Sequence, residues 1–224
     1  MDFTPLPASF YEPSAERVAP QLLGHFLVRR TPDGLAGGVI VETEGYLADD
    51  PSCHGFRRET ARNHSMYGPP GRAYVYFIYG NYYCFNAVCC RAGVAEAVLL
   101  RAVEPAFGEG WMRANRPVPN ARDLTSGPAK FCLALDIGRT FDGVDLCSAD
   151  SAVFIGRNPE VAAIRRRRGP VITTTRVGLS VAEHWPLRFY LAGSEFVSKR
   201  DRRAEAAAKR SPPVSPLAKP PLRR

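Results

Sequence analysis

Two carboxylates two positions apart, Glu42 and Glu44, close the run Gly38 to Glu44. The run alternates as a strand does. Val39, Val41 and Thr43 point to one side, and Ile40, Glu42 and Glu44 point to the other. Such a pair reads either as a solvated strand face or as a general base with a charged neighbour at a strand end. Arg101 interrupts Ala97 to Glu104, a stretch apolar on both faces that reads as a central strand. A guanidinium there must be paired or lie at an edge, because burying an unpaired charge is costly. Glu44 is a partner of the right type, and a glutamate and an arginine converging on one water would orient it as a nucleophile. Tyr46 and His54 follow closely. His54 alone reads as a hydrogen-bonded surface histidine. Ser126-Gly127-Pro128-Ala129-Lys130 joins a hydroxyl, a glycine and a helix start to a lysine one turn in. Those are the parts of an anion site, and equally of an ordinary capped helix.

Residues 74 to 86 hold five tyrosines and two phenylalanines, broken by Gly80-Asn81. Aromatic and β-branched residues around such a pair predict a β-hairpin. At a hairpin tip they would stack on bases or wedge between them. They also suit a packed hairpin core whose hydroxyls reach solvent.

The elements that must position these residues follow from punctuation and pattern. A short or kinked helix is expected over Ala15 to Leu23, with Ser14 as its cap, Pro20 against it and Gly24 beyond it. Strands are expected at Phe26 to Arg30 and Leu35 to Tyr46 around the turn Pro32-Asp33-Gly34. Residues 47 to 71 form a long polar loop, a length that points to function. A strand over Ala97 to Val103 and a short helix over Glu109 to Ala114 come next. A helix then starts at Ser126-Gly127-Pro128 and ends by Gly138. Late strands are expected at Asp150 to Phe154, Val171 to Val177 and Leu187 to Ala192.

The 224 residues, 45% of them apolar, suffice for one domain with a sizeable core. No apolar run approaches the ~20 residues of a membrane span. Met1 to Glu12 is neither basic nor followed by an apolar stretch, so a soluble intracellular protein is expected. The net charge of +8 favours a polyanionic partner. Residues 199 to 224 hold nine Lys or Arg and two acids, and from Arg202 the composition predicts a disordered basic tail. The run Arg165 to Arg168 flanks a strand and is expected to serve a site. Six cysteines without a Cys-x-x-Cys pair predict neither staples nor a metal centre, and Cys84, Cys89 and Cys132 read as core residues.

Taken in order, the motifs form a combination. They are Val41-Glu42-Thr43-Glu44-Gly45-Tyr46, His54, Arg62-Asn63, Tyr74 to Gly80, Leu99 to Pro105, Ser126 to Lys130, Arg176-Val177-Gly178 and Leu187 to Tyr190. From about residue 10 to 200 the chain closely resembles the alkyladenine (3-methylpurine) DNA glycosylases. The resemblance implies a single mixed α/β domain over residues 1–201. In it a curved, mainly antiparallel sheet is flanked by helices and carries a protruding hairpin. It implies a monomer without cofactor or metal that flips alkylated or deaminated purines out of double-stranded DNA and hydrolyses their N-glycosidic bond. Glu44 would activate the water, and Arg101 and the carbonyl of Val177 would hold it. Tyr46, His54 and Tyr76 would enclose the base, and Asn86 would crowd the amine of guanine. Tyr79 would be the wedge that fills the gap left in the duplex, and Ser126, Gly127, Lys130 and Arg176 would meet the DNA backbone. No lysine or terminal amine is placed like an imine-forming nucleophile, so no lyase step is expected.

The hairpin has two candidate registers. A two-residue loop, which turn statistics favour, pairs Tyr79 with Tyr82 and separates Tyr76 from Asn86. A three-residue loop, Tyr79-Gly80-Asn81, pairs Ile78 with Tyr82 and puts Tyr76 and Asn86 on one face. The implied pocket requires the second. Two other readings stand beside this one. A non-catalytic nucleic-acid module would use the aromatic hairpin alone, and a sugar glycosidase would use Glu42 and Glu44 as a carboxylate pair.

Overall fold

A computed structural model describes residues 3–78 and 80–210. Its centre is a curled, antiparallel eight-stranded sheet. The strands are β1 (Phe26–Thr31), β2 (Gly34–Tyr46), β3 (Ala73–Ile78), β4 (Tyr82–Cys89), β5 (Glu96–Phe107), β6 (Val153–Gly156), β7 (Val171–Thr174) and β8 (Arg188–Leu191). The order β3-β4-β5-β2-β1-β6 puts the two longest strands, β5 and β2, in the middle, where Arg101 and the two glutamates lie. β8 pairs with the far half of β2, from Glu42 to Glu44, and β7 pairs with β8. The carboxylate-bearing end of β2 thus has a strand on each side.

Local sequence explains the curl. β2 carries register shifts at Gly37/Gly38 and on both sides of Glu42. Bulges bend a strand and sharpen its twist. A Cβ on Gly37 would lie 2.0 Å from the Leu27 carbonyl oxygen, and one on Gly38 would lie 2.0 Å from that of Glu104. Only glycine lets β2 pass that closely between β1 and β5.

The helices are α1 (Ala8–Tyr11), α2 (Ala15–Leu22), α3 (Glu109–Asn115), α4 (Ala121–Thr125), α5 (Pro128–Ala134), α6 (Val161–Arg167) and α7 (Arg202–Arg210). α2 buries Ala15, Val18, Ala19 and Leu22 against the sheet, and Pro20 is accommodated inside it. Ser14 makes no side-chain cap; the carboxylate of Glu96 takes the Ala15 N–H instead, at 2.8 Å. α5 starts at Pro128 and ends at Ala134, short of Gly138. Cys84, Cys89 and Cys132 are buried, and all six cysteines are free. No described helix is long and apolar enough to cross a membrane.

β3 and β4 pair antiparallel with Ile78 opposite Tyr82. This is the three-residue register, and Tyr74, Tyr76, Cys84 and Asn86 share one face. β3 is an edge strand, yet its outer groups are met. Asp142 accepts the Val75 N–H at 2.8 Å, and the Ala73 backbone bonds Val144 and Gly143.

Two expectations change. The basic tail was expected to be structureless from Arg202, but Arg202–Arg210 is helical, with Ala204 and Ala208 packed on the cluster of Ile172, Tyr190 and Val197. Their spacing of four puts both alanines on one helix face, a pattern masked by the surrounding charge. The rest of that tail, 211–224, lies outside the described residues. The Arg165 to Arg168 run is divided between structural contacts and solvent. Arg165 caps α2 by bonding the carbonyls of Leu23, Pro20 and Gln21, and Arg168 pairs with Glu104. Arg166 and Arg167 are exposed.

Candidate active site

β2, β3, β4 and β5 and the loop 47–71 wall a cavity of about 360 Å³. Tyr46, His54, Tyr76, Asn86, Arg101 and Val177 all line it. Seven residues scattered over the sequence expectation therefore meet in one place, since Glu44 lies directly behind this wall. Glu44 is fully buried and takes three donors. The Val177 N–H reaches Oε1 at 2.8 Å, the Tyr46 hydroxyl reaches Oε2 at 3.0 Å, and Arg101 Nη1 reaches Oε2 at 3.2 Å. Each of those donors belongs to a residue that lines the cavity. The Val177 contact is through its N–H.

The solvated-face reading of the two glutamates does not hold, for Glu42 is buried as completely as Glu44. Its Oε1 accepts from Arg101 Nε at 3.1 Å, Arg188 Nη1 at 2.9 Å and the Ser198 hydroxyl at 2.9 Å. Its Oε2 accepts the Ser198 N–H at 2.6 Å. Burial works against the charge on Arg101, but Glu44 and Glu42 outweigh it and hold the guanidinium above its ordinary pKa. A guanidinium between two carboxylates is the pairing that a charge inside a central strand demands.

The cavity wall is aromatic. The His54 ring meets Tyr76 edge-on at 4.4 Å between centroids, and His54 Nδ1 lies 2.8 Å from the Tyr74 hydroxyl. Burial, with Arg62 assisting, holds the His54 pKa below its ordinary value. Burial likewise pushes Tyr46, Tyr74 and Tyr76 up, so their hydroxyls stay protonated donors. Asn86 is buried and donates Nδ2–H to the Tyr74 carbonyl at 2.9 Å, which fixes its carboxamide. A flat, π-rich slot with a fixed carboxamide and a buried carboxylate behind it can stack a purine and present a base to its sugar end.

Of the residues expected at the DNA backbone, Arg176, Lys130 and Ser126 are engaged by partners within the protein. Arg176 is buried, with an ion pair to Asp50, a bond to the Gly45 carbonyl at 3.0 Å and its guanidinium 4.7 Å over the Tyr46 ring. It braces the site and is not open to a phosphate. Lys130 is held by Asp123 at 2.8 Å and Ser126 at 3.4 Å, and Ser126 is buried. The α5 start still borders the cavity through Pro128, with Gly127 as its N-cap. Tyr79, the expected wedge, lies outside the described residues.

Sequence reading missed several members. Asp50 gave no signal because its partner lies 126 residues away. Arg188 and Ser198 stand in plain late segments, 146 and 156 residues from Glu42. Tyr74 was visible as one more hairpin aromatic, but its bond to His54 depends on the path of the long loop.

The family model described as methylpurine-DNA glycosylase (MPG) matches residues 9–195. A protein of Carboxydothermus hydrogenoformans named "Putative 3-methyladenine DNA glycosylase" is 43% identical over 195 residues, covering 87% of this chain and 99% of that one. A protein of the same name from Methanoculleus marisnigri is 44% identical over 195 residues, with the same coverage. One from Francisella tularensis is 42% identical over 182 residues, 81% of this chain and 92% of its own.

Proposed function

The chain belongs to the methylpurine-DNA glycosylase family, and from that premise we propose that it is a monofunctional DNA N-glycosylase for alkylated and deaminated purines, working on duplex DNA by base flipping. The observation that carries the reading is Glu44, buried behind an aromatic cavity and held by Arg101, Tyr46 and the Val177 N–H.

Flipping a nucleotide costs a few kcal/mol in lost stacking and pairing. Stacking against Tyr46, His54 and Tyr76 offsets this at about 1–3 kcal/mol per base. A 3- or 7-alkylated purine is cationic, so the π-rich wall attracts it and it leaves readily. Water attacks C1′ as the N-glycosidic bond breaks. The bond's electron pair leaves with the purine, and the water's proton passes to Glu44. Arg101 orients that water and the carboxylate. Asn86 meets the purine edge and disfavours the exocyclic amine of guanine. Tyr79 is assigned the wedge in the vacated stack. The net charge of +8 supplies non-specific attraction to phosphates.

Duplex oligonucleotides bearing 7-methylguanine, hypoxanthine or ethenoadenine, incubated with the protein and then treated with alkali, test the reading. Strand cleavage at the lesion only after alkali is the expected result. Binding without excision would leave a nucleic-acid module, and nicking without alkali, or a borohydride-trapped adduct, would contradict the monofunctional assignment.

A further inference from the structure

Glu42 takes no part in the chemistry above, yet it accepts four hydrogen bonds where Glu44 accepts three. Strand alternation puts both carboxylates on the same side of β2, and they share Arg101. The guanidinium is divided edge by edge. Nε goes to Glu42 at 3.1 Å, Nη1 to Glu44 at 3.2 Å and Nη2 to Ser198 at 3.3 Å.

Resting on the reading of Glu44 as the base, we propose that Glu42 is a positioning residue that holds Arg101 to a single bond with Glu44 Oε2 and so leaves Oε1 clear of the guanidinium to take a proton from water. An arginine and a carboxylate left to themselves favour a two-bond fork, the stronger arrangement. Such a fork would turn both Glu44 oxygens to the arginine and weaken their hold on a proton. Glu42 prevents it by holding Nε and by accepting the Ser198 hydroxyl at 2.9 Å, which fixes that oxygen against Nη2, the nitrogen that would complete a fork with Nη1. Arg188 in turn balances Glu42, so two carboxylates and two guanidiniums sum to zero inside the protein.

The other groups facing Glu44 are few. Tyr46 on its own strand and Cys84 on β4 are kept protonated by burial and carry no charge. The Val177 N–H comes from the loop after β7. Arg176 lies over Tyr46, where Asp50 neutralises it. His54 lies against Tyr76 in the same cavity, and burial, with Arg62 assisting, holds its pKa below the ordinary value.

Single-turnover excision of 7-methylguanine across pH isolates the effect, because this substrate is already cationic and needs no proton. Neutralising Glu42 in Glu42→Gln leaves the group around Glu44 one charge more positive. The acid limb should move to lower pH by about one unit, and the plateau should fall roughly tenfold as the base weakens. Arg188→Gln does the reverse. Arg101 is then the one cation left to Glu42, and the acid limb should move to higher pH. The displacements should persist in a His54→Gln background, which removes the other titrating group. Thermal melts establish that each variant is folded, and Arg188→Gln decides alone should Glu42→Gln not fold. Limbs that stay in place while the rate drops, or that move the same way in both variants, would make Glu42 a structural residue only and overturn the inference. Glu44→Gln serves as the control: if it still excises, the base assignment falls, and this inference with it.

Discussion

Arg176 stacks over Tyr46 at 4.7 Å while its guanidinium is ion-paired with Asp50. One cation thereby joins three parts of the site. Asp50 opens the long loop that carries His54, Tyr46 donates to Glu44, and Val177 is the next residue after Arg176.

Asp50→Asn should therefore cost both stability and activity. Removing one partner of a buried pair typically costs about 3–5 kcal/mol, which urea unfolding at neutral pH would read. Burial raises the Asp50 carboxyl, but Arg176 and Ser52 outweigh it and hold the pKa below its ordinary value. The contribution is thus full above the unfolded value of about 3.9 and is lost as the pH falls through the lower, folded value. The gap between parent and variant should close only in strong acid.

His25 carries a second pH dependence, far from the site. It is buried, accepts the Asn158 N–H on Nδ1 at 3.1 Å, and has its pKa lowered to about 4 by burial, with Arg165 and Arg157 assisting. Unfolded chains protonate it from about pH 6.5 downward, while the folded chain keeps it neutral. Stability should fall between pH 6.5 and about 4, by an amount on the order of 3 kcal/mol. His25→Gln keeps an acceptor for Asn158 and should flatten this part of the urea-midpoint curve. An unchanged slope would remove His25 as its source.

Much of this architecture was legible in local sequence. The Pro32-Asp33 turn and the apolar run around Arg101 each state their role through residue type and spacing. The pairing of Arg101 with Glu44 followed from one rule, that a charge inside a central strand needs an opposite charge. What was not legible came from contacts between distant segments. Arg176 looked like a phosphate ligand because nothing near it in sequence announces Asp50. Lys130 was expected at the DNA backbone, and nothing in its own helix announces Asp123. In α7, two alanines among arginines hide a docking face.

The docking of α7 leads to a comparison of two truncations. Ending the chain at 210 should leave folding and single-turnover excision unchanged and weaken DNA binding generally, with a shallower salt dependence of roughly 0.9 per lost phosphate contact. Ending it at 201 removes Glu205 from Tyr190, at 3.0 Å, and uncovers Ile172 and Val197. That chain should melt at lower temperature. Equal melting temperatures for the two would show that α7 contributes nothing to the fold.

Glu44→Gln should abolish excision in single-turnover assays while lesion DNA is still bound nearly as well as by the parent. The substitution keeps the shape and one acceptor oxygen but cannot take the water's proton. Near-normal excision would move the base to Glu42.

Asn86→Ser tests the pocket and the hairpin register together. With Ile78 opposite Tyr82, Asn86 falls on the face of Tyr74 and Tyr76, and its Nδ2 bond to the Tyr74 carbonyl holds the carboxamide at the cavity wall. In the alternative register the same substitution would act on the opposite face and leave the cavity unchanged. Serine is shorter, so the space beside the purine edge grows, and the exocyclic amine of guanine no longer meets a fixed group. Discrimination by a small steric difference in a pocket amounts to roughly 10–200-fold. Excision of unmodified guanine, measured opposite a mismatch to ease flipping, should rise by at least about tenfold, while 7-methylguanine excision changes little. A variant that folds normally and leaves guanine excision at the parent level would remove Asn86 from the specificity of this site.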